Sequence, residues 1–385
     1  MQHSTPAPPI DFRRSLPPLV PELHSHLAAA LQSVTATSDF GLMLRQSVAR
    51  GAEEHRAAGG QFLRRRFGHD VEASRVMLTN GTQNALLVLL QMLAGTHGLV
   101  VAEKLSYGSL RALARIAHVR LEGLEIDAEG IVPESFEAAC RVRRPKVLYC
   151  NPTVQNPTAA VMPETRRLAL IEIARRYGVV IVEDDALGRL YPQAPRPIAA
   201  LAPDVTWYVM STTKCLAQGL RLAYVVAPRH PGAEKTIAPV EHLSYWHAAP
   251  LTAALVSQWI ASGIADRITS SIARECMARE RLAREILAAA DVDSAPGSMH
   301  VWIKLPGHCD RNELVAAAQR RGVLMRSSDL FAVDDHPPVN AVRLALSPPA
   351  DLDEVRRGLL ILRGLLEEST RPGATSVVQE VIHER

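Results

Sequence analysis

Between residues 70 and 230, short runs rich in β-branched residues alternate with helix-length amphipathic segments. The runs are VMLTN (76–80), GLVVAE (98–103), RLEGLEI (120–126), VLYCN (147–151), GVVIVED (178–184), TWYVMST (206–212) and RLAYVVA (221–227). Apolar strands separated by helices predict βαβ units and a mostly parallel sheet covered on both faces. Among the helices, residues 83–92 form a strongly apolar one. A second follows Pro163-Glu164, with Leu168, Ile171 and Ala174 on one face and Gly178 at its end, as expected for proline in a first turn and glycine past a last one.

After residue 230 the pattern changes to a helical stretch over 251–290, a strand in SMHVWIKLP, a helix over 313–321, a strand in VNAVRLALS and a helix over 351–366. This predicts a smaller α+β lobe. The expected division is an N-terminal arm and part of the small lobe (1–35), a large domain (36–240), a small C-terminal domain (241–366) and a loose polar tail (367–385). A chain of 385 residues exceeds the ~250–300 at which one core stops growing, so two lobes fit.

Composition narrows the function classes. With 47 % hydrophobic and 22 % charged residues, the chain has the balance of a folded protein. A net charge of +3 sets up no field for a polyanion, and neither nucleic acid nor membrane is expected as a partner; the basic runs LRRRF (63–67) and RVRRPK (141–146) are expected to be solvated helix ends. No apolar run reaches the ~18 residues of a membrane span and no leader pattern opens the sequence. The five cysteines are odd in number and widely spaced, which predicts neither a disulfide framework nor a zinc knuckle and fits a reducing cytoplasm. His24 and His26 lack a third ligand at metal-site spacing, so no metal is expected.

Polar groups recur just after the strands: Asn80-Gly81-Thr82-Gln83, Asn156-Pro157-Thr158, Asp184, and Ser211-Thr212-Thr213-Lys214 followed by Arg221. Singly these are ordinary helix caps, turns and loop carboxylates. Open α/β sheets bind ligands beyond the carboxyl ends of their strands, so as a set they predict one site.

The motifs STTKCLAQGLRLAYVV, VEDDA, QNPTA and NAVRLAL, in that context, resemble the fold-type I pyridoxal-phosphate aminotransferases of classes I and II. The resemblance is greatest to the branch holding 2-aminoadipate aminotransferases and the aminotransferase-like domain of MocR regulators. It implies a large lobe with a mostly parallel sheet plus a smaller α+β lobe, a homodimer, and transfer of an amino group from an α-amino acid to a 2-oxo acid. Carried over residue by residue, it implies that Lys214 forms the Schiff base and that Asp184 faces the pyridine nitrogen. Gly81, Thr82, Gln83, Ser211 and Arg221 would hold the phosphate, with Tyr107 stacked on the ring. Asn156 would bond the phenolic oxygen, and Arg343, with Asn156 and Ser15, would meet the substrate.

The chain departs from that family at several points. Leu187 stands where a tyrosine is usual, Ala159 replaces the glycine of QNPTG, and Ser15 occupies the early glycine position. A tyrosine that reaches the neighbouring subunit is missing from LRQSVARG, with Arg45 or Gln46 as substitutes. No winged-helix region precedes the matched part, so a complete MocR regulator is not expected. Leu187 and Ala159 keep two alternatives open: another reaction of the same coenzyme (decarboxylation, elimination or oxidation), and a non-catalytic sensor of coenzyme and amino acid. Arg13, Arg14, Trp246 and His247 are open candidates for the side-chain pocket, and Cys215, next to Lys214, for thiol reactivity.

Overall fold

A computed structural model describes residues 8–335 and 339–369. Its centre is a seven-stranded sheet built from β1 (Val76–Thr79), β2 (Leu99–Glu103), β3 (Arg120–Leu124), β4 (Val147–Cys150), β5 (Val180–Asp184), β6 (Thr206–Ser211) and β7 (Ala223–Val226). The spatial order is β1-β7-β6-β5-β4-β2-β3. Pairings from β6 through β3 are parallel, and β7 alone runs antiparallel, against both β1 and β6. Tyr149, Val182, Val209 and Val225 point into one apolar layer, Leu148, Ile181 and Cys150 into another, which explains the near-continuous apolar strands.

A second sheet of four strands, β8 (Asp291–Asp293), β9 (His300–Lys304), β10 (Arg326–Ser327) and β11 (Ala341–Ala345), has the order β8-β9-β11-β10 and is antiparallel throughout. Ile10 and Asp11 pair in parallel with Val323 and Leu324 as a separate two-stranded sheet, and the Phe12 carbonyl accepts the Ala345 N–H, so the N-terminal segment is held at the small lobe before the chain enters the large sheet. The helical stretch over 251–290 is two helices, Pro250–Ala261 and Ile264–Ile286. Gly263 separates them at φ +72°, a left-handed conformation that glycine adopts without a Cβ clash. The last helix, Leu352–Ser369, carries the first three residues of the expected tail; the remainder of the tail lies outside the described residues.

Two expectations about charged helices are corrected. The helix Glu164–Tyr177 begins and ends at Pro163 and Gly178 as its sequence indicates, but Leu168 is exposed and the buried face is Arg167, Leu170, Ile171 and Ala174. The i, i+3, i+4, i+7 stripe is intact; its first member is an arginine, which apolar periodicity passes over. Arg66, within LRRRF, is likewise buried rather than solvated. Its Nε donates to Asp185 Oδ2 at 2.6 Å and its Nη1 to the Pro195 carbonyl at 3.0 Å. Arg167 donates to the Pro152 carbonyl and Thr153 Oγ1, at 3.0 and 2.9 Å, and lies 3.4 Å from Glu183.

These two guanidiniums tie the loops after β4 and β5 to the back of the sheet. Removing one partner of a buried pair leaves the other charge uncompensated, at about 3–5 kcal/mol. Arg66→Ala is therefore expected to lower the unfolding free energy by about that amount in chemical denaturation, and Leu168→Ala to change it by less than about 0.5 kcal/mol; the reverse ranking would refute the corrected faces.

Candidate active site

At the carboxyl ends of the parallel strands lies a cavity of about 380 Å³, within the range of small-molecule sites. All eleven residues singled out for binding or chemistry line it: Ser15, Gly81, Thr82, Gln83, Tyr107, Asn156, Asp184, Ser211, Lys214, Arg221 and Arg343. Gly81 precedes the helix Thr82–Ala94 at φ +84°, so the first backbone N–H groups of that helix open onto the cavity wall, where helix ends favour anions. A Cβ on Gly81 would lie 3.7 Å from Arg221 Nη2, which places that guanidinium beside the same helix start. Ser211 Oγ is 2.6 Å from Thr213 Oγ1 and accepts the Thr213 N–H at 3.1 Å. Tyr107 accepts a hydrogen bond from Gln83 Nε2 at 2.8 Å.

Alternation along β5 separates its last carboxylates. Glu183 and Asp185 turn to Arg167 and Arg66 behind the sheet. Asp184 faces the cavity, and its Oδ2 accepts from Tyr149 Oη at 3.0 Å. Burial pushes the Asp184 carboxyl up to about 7, because a charge there has lost its hydration. Asn151 joins the neighbouring strand ends: its Nδ2 donates to the Asp184 carbonyl at 2.5 Å and its Oδ1 accepts the Asn156 N–H at 2.8 Å. Beneath it, buried Glu103 accepts the Asn151 N–H at 2.7 Å and is pushed up to about 7, again by burial.

Lys214 follows β6, and its Nζ donates to the Ser15 carbonyl. Protein packed round the amine, and then the charges of Arg343 and Arg14, bring it down from the usual lysine range to about 8. Arg343, in β11, is buried; its Nη1 donates to Asn156 Oδ1 at 2.8 Å and its Nη2 to the Arg13 carbonyl at 2.6 Å. The ring of Phe331 lies under that guanidinium, 4.8 Å from Cζ to the ring centre, and burial lowers Arg343 to about 10.

Five buried polar atoms of the lining have no hydrogen-bond partner among the described residues: Thr82 Oγ1, Asp184 Oδ1, Gln218 Oε1, His300 Nδ1 and Arg343 Nε. Unpaired polar atoms in a protein interior cost free energy unless a ligand meets them. Of these, Thr82, Asp184 and Arg343 ask respectively for an anion at the helix start, an N–H donor at the sheet edge and a carboxylate at the small lobe. A phosphorylated pyridine carrying an amino acid has those groups in that order, so the residues present fit pyridoxal phosphate.

Of the open candidates, Arg13 and Arg14 line the cavity and Trp246 and His247 do not. Trp246 is buried with its indole N–H on the Val240 carbonyl at 2.7 Å, and His247 is engaged by Ser47 Oγ and the Glu241 carbonyl, both at 2.9 Å. Cys215 is fully buried and held up at about 11 by its apolar surroundings, which removes the basis for thiol reactivity. Leu187 borders the cavity; Ala159 does so nowhere and sits at φ +60°, where a glycine would be at ease.

Tyr149, Asn151, Glu103 and His300 escaped the sequence reading. The first three are polar residues at or next to strand ends, the signal that located the rest, but inside apolar runs they read as strand. His300, in β9, donates from Nε2 to the Gln155 carbonyl at 3.1 Å and is kept neutral by burial and then by Arg343, which lower it to about 3. Nothing local marks it.

Among curated proteins, the chain is 28 % identical to an uncharacterized HTH-type transcriptional regulator, YdeF of Bacillus subtilis, over 79 % of this chain and 66 % of that one. It is 30 % identical to a 2-aminoadipate transaminase of Thermus thermophilus, over 61 % and 62 % of the two chains. It thus spans just under two thirds of the length of these relatives. Among solved structures, a kynurenine aminotransferase of Pyrococcus horikoshii superposes with a TM-score of 0.85 at 22 % identity, covering 95 % of this chain and 93 % of the other. The α-aminoadipate aminotransferase LysN of Thermus thermophilus does so at 0.83 and 24 %, covering 94 % and 92 %. These likenesses establish the fold, that of pyridoxal-phosphate fold type I. With residues 21–359 matching the model of the aminotransferase class I and II family, the chain belongs to that family.

Proposed function

We propose that the protein is a pyridoxal-phosphate-dependent aminotransferase that moves an amino group from an α-amino acid to a 2-oxo acid. The observation that carries this reading is the pairing, in one cavity, of a lysine amine brought down to about 8 with a buried aspartate oxygen that has no partner among the described residues. The coenzyme, when bound, supplies an aldehyde for amines to condense with and a protonated ring that draws electrons from the substrate Cα.

Each residue then has a task. The N–H groups and hydroxyl at Gly81, Thr82 and Gln83, with Ser211 and Arg221, bind the phosphate. Asp184 Oδ1 accepts the ring N–H, and Tyr149 keeps the carboxylate turned to it. Tyr107 covers the ring, and Asn156 orients it while sharing Arg343. Arg343 grips the substrate carboxylate, with Ser15 at its side. Lys214 Nζ serves as the attachment point and, once displaced, takes the proton from the substrate Cα.

A homodimer belongs to this reading, supported by the exposed apolar side chains Leu42, Leu44 and Val48 in the stretch that carries Arg45 and Gln46. A cytoplasmic location is supported by five free, buried cysteines. A second reading, a domain that senses coenzyme and amino acid without turnover, is favoured by the likeness to proteins named as transcriptional regulators.

Borohydride treatment of the protein mixed with pyridoxal phosphate is expected to fix a pyridoxyl group at Lys214, read by peptide mass spectrometry, with none in Lys214→Ala. Absence of the adduct in the unaltered protein would reject coenzyme binding through this residue. Amino donors should then convert the bound chromophore to the amine form and yield a 2-oxo acid; a donor that binds without product would select the sensor reading. Capture of the aldehyde needs the neutral amine. Its rate is expected to rise with pH through a midpoint near 8 and to level off above it, since the ammonium form prevails below. Asp184→Asn, which keeps the shape and drops the charge, is expected to weaken coenzyme binding by about 10- to 150-fold, as loss of a charged hydrogen bond of about 1.5–3 kcal/mol implies.

A further inference from the structure

We propose that a second anion site lies behind the catalytic cavity, in a cleft where Arg189 and the start of the helix Ile264–Ile286 receive a phosphate group, free or esterified.

The cleft measures about 550 Å³, and its polar lining is Gln61, Arg64, Arg65, Arg189 and Asp266. None of these residues lines the catalytic cavity, and none has a task in the aminotransferase reading. Arg189 carries the argument. Its side chain is 2 % exposed, its Cζ lies 4.2 Å from the centre of the Phe62 ring, and its Nη2 donates to Asp266 Oδ1 at 2.5 Å. Its Nε has no hydrogen-bond partner among the described residues. A buried guanidinium with an unmet N–H carries a free-energy cost that a bound oxyanion removes.

The surroundings favour negative charge. Ala265 and Asp266 border the cleft from the first turn of a 23-residue helix whose start has no side-chain cap, so its leading N–H groups are open to an acceptor and its dipole attracts an anion. Arg64 and Arg65 are exposed. Arg64 Nε lies 3.8 Å from Asp70 Oδ1, and Arg65 has no partner among the described residues. Basic residues in a last turn offset their own helix's dipole, which accounts for that pair and leaves buried Arg189 unexplained. With three arginines against Asp266, the lining has a surplus of two positive charges. A phosphate dianion matches that surplus; a single carboxylate meets half of it.

The cleft and the cavity share their walls. The turn from Asp184 to Arg189 presents Asp184 and Leu187 to the cavity and Arg189 to the cleft. Thr269, in the helix that carries Asp266, donates from Oγ1 at 3.0 Å to the carbonyl of Cys215, the neighbour of Lys214.

The test titrates inorganic phosphate, and separately glycerol phosphate, into protein whose coenzyme has been fixed by borohydride and whose excess coenzyme has been removed, so that the catalytic phosphate site is filled. Calorimetry at constant ionic strength, with chloride as the balancing anion, is expected to show one saturable site per chain. Arg189→Gln, and the double variant Arg64→Gln with Arg65→Gln, should each weaken it at least about ten-fold while the absorption of the fixed coenzyme stays the same. Tighter binding of the ester would identify the ligand as an esterified phosphate, and tighter binding of the inorganic ion as free phosphate. No saturable binding, or equal binding by the unaltered protein and the double variant, overturns the site. The double variant changes exposed side chains only, so that outcome stands even where Arg189→Gln fails to fold. Failure to fix coenzyme rejects the aminotransferase reading alone, because the comparison between unaltered protein and double variant still reads the cleft.

Discussion

The site depends on keeping a lysine amine out of water without giving it a carboxylate of its own. Lys214 donates to a backbone carbonyl, lies near two arginines and feels Asp184 only across the cavity. Desolvation and like charge both favour the neutral amine, and a close carboxylate would reverse that by stabilising the ammonium. The architecture therefore has to present Asp184 within the same cavity while directing Glu183 and Asp185 away from it.

The pleat of β5 achieves that separation, since successive side chains leave a strand on opposite faces. Burying three consecutive acidic residues is costly, and each is met differently. Asp184 has Tyr149 on one oxygen, Asp185 has Arg66 and Tyr208, and Glu183 has Arg167 and the N–H groups of Ile198 and Ala199. The arginines behind the sheet also hold the loops after β4 and β5 through carbonyls. The loop that carries Asn156 and the strand end that carries Asp184 are thereby fixed by one charge network lying outside the cavity.

The small lobe closes the cavity from the other side. Arg343 reaches across from β11 to Asn156 and to the Arg13 carbonyl, and the segment around Arg13 is itself tied to the small lobe, Ile10 through Val323 and Phe12 through the Ala345 N–H of β11. The wall nearest Lys214 Nζ is thus N-terminal chain held by C-terminal strand. Its Arg13-Arg14-Ser15 sequence brings two guanidiniums to the cavity lining.

Much of this was legible in the residues. Strand and helix alternation follows from local periodicity, and the separation of Asp184 from Glu183 and Asp185 follows from a period of two; both hold because backbone geometry repeats over a few residues. The polar groups after the strands were readable because parallel strands end on one edge whatever the loops do. What only the tertiary structure decided was partnership across distance. Arg66 meets Asp185 from 119 residues away, Trp246 and His247 are used up in packing, and Tyr149, Glu103 and His300 face the site region from runs that read as plain strand. Such choices depend on which buried charges and donors end up adjacent once the layers pack, and no short stretch of sequence carries that information.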